Sequence, residues 1–250
     1  MQKSNENDIQ FGEITTKLKS SSLLNGEIHL WAISLNSDST LINKCKSSLT
    51  ELERNRISYY NFEQVQNNYV ISQGGLRILL SSYLNIEPQK IDLRKHRKGK
   101  PFTADDNSLC FNISNSGNYC VYAFSRAGEV GIDIEELRPL PDIDELIDKN
   151  FTEKEKNYIT KNEKLRDERF FRFWTIKEAY LKAIGEGMRL TPDNLEFSIE
   201  NDGTFKLEAV KGIFEQEDWL FKEITPGDNH VGTVTYKGHQ TKITELQLIQ

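Results

Sequence analysis

Val130-Gly131-Ile132-Asp133-Ile134-Glu135 alternates an apolar residue with a small or acidic one at every step. Alternation of this kind commits a stretch to a β-strand, because successive side chains of a strand point to opposite sides. Val130, Ile132 and Ile134 then enter a core, while Asp133 and Glu135 share the other face. Two carboxylates so placed repel, and each raises the other's pKa unless a cation lies between them. An edge strand with a solvated acidic face is the plain alternative. Gly131 is expected to leave the backbone beside the acids open to close approach.

A second segment supplies a third acid at helical spacing. Residues 164–184 predict a long helix, ended by Gly185 and Gly187 and kept from resuming by Pro192. Trp174, Glu178 and Lys182 are four apart and lie along one stripe of it. Phe170, Phe173, Ile176, Tyr180, Leu181 and Ile184 make the remainder strongly apolar. A lone Glu–Lys pair at this spacing contributes only about 0.2–0.5 kcal/mol, which does not account for so aromatic a setting. Three carboxylates beside a lysine suit a hard divalent cation, which takes one or two carboxylates together with phosphate and water. The lysine can offset charge developing on phosphate oxygens, and the glutamate can serve as ligand, base or both.

Alternating stretches predict strands at 27–35, 109–113, 119–124, 195–199, 219–224, 231–236 and 241–248. Helical spacing predicts helices at 48–60, 63–84, 143–149 and 152–160, the first opening on a capping region at Ser48-Leu49-Thr50-Glu51. Gly74-Gly75 weakens the middle of the second. Strand, helices, then strands, twice over, predict an α+β fold of two similar halves. Ala127-Gly128 marks the midpoint: a polar, mobile tail at 1–24, one half at 25–128, and at 129–250 the half carrying the acids.

The formal net charge of −6 excludes general nucleic-acid binding, which needs a broad basic surface. Basic residues do gather at Lys90, Arg94, Lys95, Arg97, Lys98 and Lys100. In an acidic protein such a run is either a solvated loop or a selective seat for a polyanion or acidic partner. The three cysteines have no metal spacing and read as thiols of a reducing compartment. No apolar run is long enough for a signal-peptide core or a membrane span, so the expectation is a cytoplasmic protein.

The strand Gly131-Ile132-Asp133-Ile134-Glu135 and the helix Trp174-Thr175-Ile176-Lys177-Glu178-Ala179-Tyr180-Leu181-Lys182 resemble the paired signatures of the 4′-phosphopantetheinyl transferases, specifically the single-chain Sfp-type. Gly99-Lys100-Pro101-Phe102 and Phe111-Asn112-Ile113-Ser114-Asn115-Ser116-Gly117 match two further segments of that family, in the expected order. The resemblance implies pseudo-twofold halves with a ligand cleft between them. It implies transfer of the phosphopantetheine arm of coenzyme A to a serine of an apo acyl or peptidyl carrier protein, releasing adenosine 3′,5′-bisphosphate. It further implies Asp133, Glu135 and Glu178 as ligands of magnesium, with manganese as the alternative ion. Glu178 would be the base and Lys182 the stabiliser of phosphoryl charge. Lys100, Ser114 and Asn115 would contact coenzyme A, and Lys177 would steady the acidic cluster.

Two positions depart from the family. Asn115 stands where a histidine is usual, so it can donate a hydrogen bond without carrying charge. Asn67-Asn68 occupies the stretch where an arginine often meets the nucleotide, leaving Arg54, Arg56 and Arg77 as substitutes. These departures support one alternative, a non-catalytic relative that binds coenzyme A or a carrier protein. A metal-dependent phosphohydrolase fits the acids but not the upstream motifs. Two fused halves would complete the cleft within one chain, so a monomer is expected. The stretch after Phe151 and the Lys90–Lys100 loop are the candidate docking regions for the carrier.

Overall fold

A computed structural model describes residues 23–24, 26–97, 99–185, 190–200, 203–211, 218–237 and 242–249. Strand β1 (Glu27–Ser34) leads into helices α1 (Ser39–Ser48), α2 (Glu51–Ile57) and α3 (Glu63–Leu84). Short strands β2 (Leu93–Lys95) and β3 (Pro101–Thr103) precede β4 (Cys110–Ser116), β5 (Tyr119–Ser125) and β6 (Val130–Glu136). Helices α4 (Ile143–Asn150), α5 (Glu153–Thr160) and α6 (Arg166–Ile184) follow. The described chain closes with β7 (Leu195–Ile199), β8 (Phe205–Val210), β9 (Trp219–Ile224), β10 (His230–Lys237) and β11 (Lys242–Ile249). The fold is α+β.

Two sheets organise it, in the orders β11-β1-β5-β4 and β6-β10-β9. Period-two alternation sorts their side chains into separate cores. Trp31, Ile33, Tyr122 and Phe124 pack with Ile71 and Leu79 of α3, while Ile28, Leu30, Val121 and Ala123 pack with Val130, Ile132, Ile134 and Val234 of the second sheet. A third core, built on Phe170, Phe173, Ile176 and Tyr180, lies around α6. Strand β11 runs parallel to β1, so the end of the expected 129–250 half sits in the first sheet. Of the expected 1–24 tail, residues 1–22 fall outside the described set, and Leu23 is buried in the first core.

The helix expected at 48–60 is corrected. Ser48 ends α1, a helix outside the expected set, and Thr50 opens α2 with a capping box closed by Glu53. Nor do Gly74-Gly75 break α3: a Cβ at Gly74 would lie 2.3 Å from the Cys45 carbonyl oxygen, so the glycine lets α1 cross α3 at close range.

The halves meet along β4 and β6 without a backbone ladder. The outward N–H groups of Ile132, Ile134 and Glu136 donate to Asn112 Oδ1 (3.1 Å), Ser114 Oγ (3.4 Å) and Ser116 Oγ (3.0 Å). Alternate side chains of β4 thus satisfy the open edge of β6, whose donors would otherwise be unpaired at a buried seam.

Candidate active site

Gly131 explains how the two signature segments come together. A Cβ there would lie 2.0 Å from the Ala179 carbonyl oxygen and 2.8 Å from Ala183 Cβ. The close approach expected at this glycine is therefore made by α6 and not by a ligand. Ala179 and Ala183, four apart on the helix, form the matching flat face. With strand and helix in contact, the Asp133 side of β6 is covered and Asp133 is buried (5 %). The solvated acidic edge strand is ruled out.

Asp133, Glu135, Glu178 and Lys182 line one cavity of about 340 Å³, together with Ile113, Ser114, Asn115, Ile134 and Trp174. Lys182 Nζ donates to Asp133 Oδ1 (2.6 Å) and to Ser114 Oγ (2.9 Å), and Ser114 Oγ donates to Asp133 Oδ1 (2.8 Å). Ser116 Oγ donates to Glu135 Oε2 (2.7 Å), and the Arg138 guanidinium lies 3.7 Å from the same carboxylate. Burial raises the pKa of all three carboxyl groups. For Glu178 the charges of Asp133 and Glu135 add to it, and Lys182 opposes.

Among the described residues, no three His, Cys, Asp or Glu side chains already stand close enough to enclose a metal ion. The acids share a cavity without closing on one point, and Lys182 neutralises Asp133 meanwhile. Their chemistry nevertheless suits a hard cation. Asp133 Oδ2 is buried with no hydrogen-bond partner, which leaves a carboxylate oxygen free to ligate a cation.

The other expected site residues divide. Asn115 is exposed and lines both the acidic cavity and a wide cavity of about 960 Å³ walled by Arg56, Tyr60, Tyr69, Arg94 and Lys95. Of the three arginines left open above, Arg56 and Arg77 both line this cavity, Arg56 with its side chain exposed. Arg77 is buried, bound to Glu53 (2.6 Å) and to the Pro88 carbonyl (2.6 Å), and Arg54 donates to the Leu49 carbonyl (2.6 Å). Lys98 lies outside the described residues. Lys100 lines a third cavity of about 680 Å³, with Ile113, Glu178, Leu181, Lys182, Leu190 and Pro192. Its ammonium donates to the Ala183 carbonyl (2.6 Å) and pairs with Glu129. The Lys177 expectation is corrected: its ammonium does not reach the acids but is buried against Glu155 on the far side of α6. The signal was present, since Phe170, Phe173, Lys177 and Tyr180 share the helix's apolar stripe.

Known proteins bear directly on this arrangement. Residues 129–235 match the 4′-phosphopantetheinyl transferase superfamily, and residues 36–127 match the family described as 4′-phosphopantetheinyl transferase, N-terminal. The 4′-phosphopantetheinyl transferase HetI of Nostoc sp. is 31% identical over 223 residues, 86% of this chain and 90% of that protein. The chain belongs to the 4′-phosphopantetheinyl transferase superfamily. Another member, the L-aminoadipate-semialdehyde dehydrogenase-phosphopantetheinyl transferase of Xenopus laevis, is 30% identical over 79% of this chain and 72% of its own length. The Homo sapiens protein of the same name is 29% identical over 76% of this chain and 67% of its own length. Within the superfamily this chain is a transferase, and no described helix is long and apolar enough to cross a membrane.

Proposed function

We propose that the protein transfers the 4′-phosphopantetheine arm of coenzyme A to a serine of an apo acyl or peptidyl carrier protein. One observation carries the reading: acids of β6 and α6 line one small cavity, and two larger cavities adjoin it at Ile113. The basic cavity suits the nucleotide and its 3′-phosphate, where Arg56 and Lys95 offer cations beside the Arg94–Asp92 pair and Asn115 offers a neutral donor. The acidic cavity suits the pyrophosphate, and the largely apolar cavity beside Glu178 suits the uncharged arm. Asp133, Glu135 and Glu178 would hold a magnesium ion, which when bound neutralises pyrophosphate charge and polarises the phosphoryl group.

The protein's own groups then account for the transfer. The serine oxygen attacks the phosphorus that bears the arm, and the bond to the adjoining phosphate oxygen breaks, leaving adenosine 3′,5′-bisphosphate. Glu178, whose proton affinity is raised by burial and by the neighbouring acids, takes the serine proton. Lys182 stabilises charge on the phosphoryl and leaving oxygens. Ser114 orients both Lys182 and Asp133. A panel of apo carrier proteins incubated with coenzyme A and magnesium tests this by intact mass. The expected result is gain of the phosphopantetheine mass on at least one carrier. No gain on any carrier of the panel would contradict the proposal.

A further inference from the structure

Lys177 neighbours Glu178 in sequence yet faces away from the acids into a fully enclosed polar hub. Its side chain is 0 % exposed, as is that of Glu155. Lys177 Nζ donates to Glu155 Oε2 (2.6 Å) and to the carbonyl oxygens of Asn150 (3.1 Å), Pro192 (2.9 Å) and Leu195 (2.9 Å). Glu155 completes the hub by accepting from the Thr152 N–H (2.8 Å) and the Phe197 N–H (2.8 Å). A buried ion pair is a poor source of net stability, because desolvation cancels much of its attraction. Its geometry here does something more specific. Two of the three carbonyls belong to the segment at 190–195, and Leu190, Thr191 and Pro192 of that segment line the apolar cavity together with Glu178 and Leu181.

We infer that Lys177 is a positioning residue: through the Pro192 and Leu195 carbonyls it fixes the wall against which the pantetheine arm lies, one residue from the base. The inference rests on the transfer reading above. A wall displaced by about 1 Å would misplace the arm, and with it the phosphorus, relative to Glu178. Calorimetry on Lys177→Met with two ligands tests this: coenzyme A, and adenosine 3′,5′-bisphosphate, which has no arm. The expected result is coenzyme A weakened about tenfold, with the bisphosphate unchanged. Equal weakening of both ligands, or no change in either, would overturn it. Should Lys177→Met not fold, the double variant Lys177→Met/Glu155→Leu removes both buried charges together and is read the same way. Failure of both variants to fold assigns Lys177 to stability alone and also overturns the inference. Absence of any coenzyme A binding by the wild type would instead defeat the transfer reading.

Discussion

At the scale of single residues, Glu178 and Lys182 carry the sharpest expectations. Glu178→Gln should lower kcat about 10²–10⁴-fold while leaving the fold intact, measured by carrier mass gain and circular dichroism. It should also change stability in a definite sense. Burial raises the Glu178 pKa, with Asp133 and Glu135 adding to the rise, so the folded state binds that proton more tightly than the unfolded state. Stability therefore grows as pH falls through the raised value and is lost as pH rises through it. In EDTA the Gln variant should melt above the wild type at neutral to alkaline pH, the gap closing toward the ordinary glutamate value of 4.5. Lys182→Met removes the cation from Asp133 and should cost roughly 1–2 kcal/mol, discounted for partial exposure, read by denaturant unfolding. The candidate acids were legible because a strand and a helix each place side chains by a fixed period. The direction of Lys177 was legible by the same rule, from its place on the apolar stripe with Phe173 and Tyr180. The collapse of the Lys100 ammonium onto the Ala183 carbonyl was not, since it depends on a contact between distant segments.

At the scale of elements, the site is a consequence of how closely α6 lies on β6. Gly131→Ala would drive a methyl group into the Ala179 carbonyl. It should cost about 1–3 kcal/mol in unfolding free energy and lower kcat further than that loss explains, as Glu178 withdraws from the strand acids. Ser114→Ala leaves the Ile134 N–H without its acceptor and Lys182 without one of its two, and should cost about 1–3 kcal/mol by denaturant unfolding. Asn112→Ala strips the Ile132 N–H in the same way, so stability should fall by a similar amount in denaturant unfolding. Long periodic elements such as α3 and α6 were readable from spacing alone. Helix α1 was not, because only Leu41, Cys45 and Ser48 of it are buried and, apart from the half-buried Ile42, the rest is polar. The three-residue strands β2 and β3 are too short to show a period.

At the scale of the whole molecule, the two halves are joined by side chains of β4 reaching the edge of β6, and by β11 returning to lie beside β1. Neither tie is encoded locally: the pattern of β11 announces a strand but not its partner, and Asn112, Ser114 and Ser116 read as ordinary polar strand positions. Three adjoining cavities grade in chemistry, from a basic one within the first half at Arg56 and Lys95, through an acidic one at β6 and α6, to an apolar one toward Leu190. The net charge of −6 keeps the basic end local, which favours a ligand with several phosphates over a general polyanion. The central claim is that the strand acids and the helix acid serve one cation. Manganese binding followed by electron paramagnetic resonance, on the wild type and on Asp133→Asn, Glu135→Gln and Glu178→Gln, tests it most directly. One site is expected in the presence of coenzyme A, weakened by each of the three substitutions. Retention of full affinity in Glu178→Gln alongside loss in the two strand variants would contradict it.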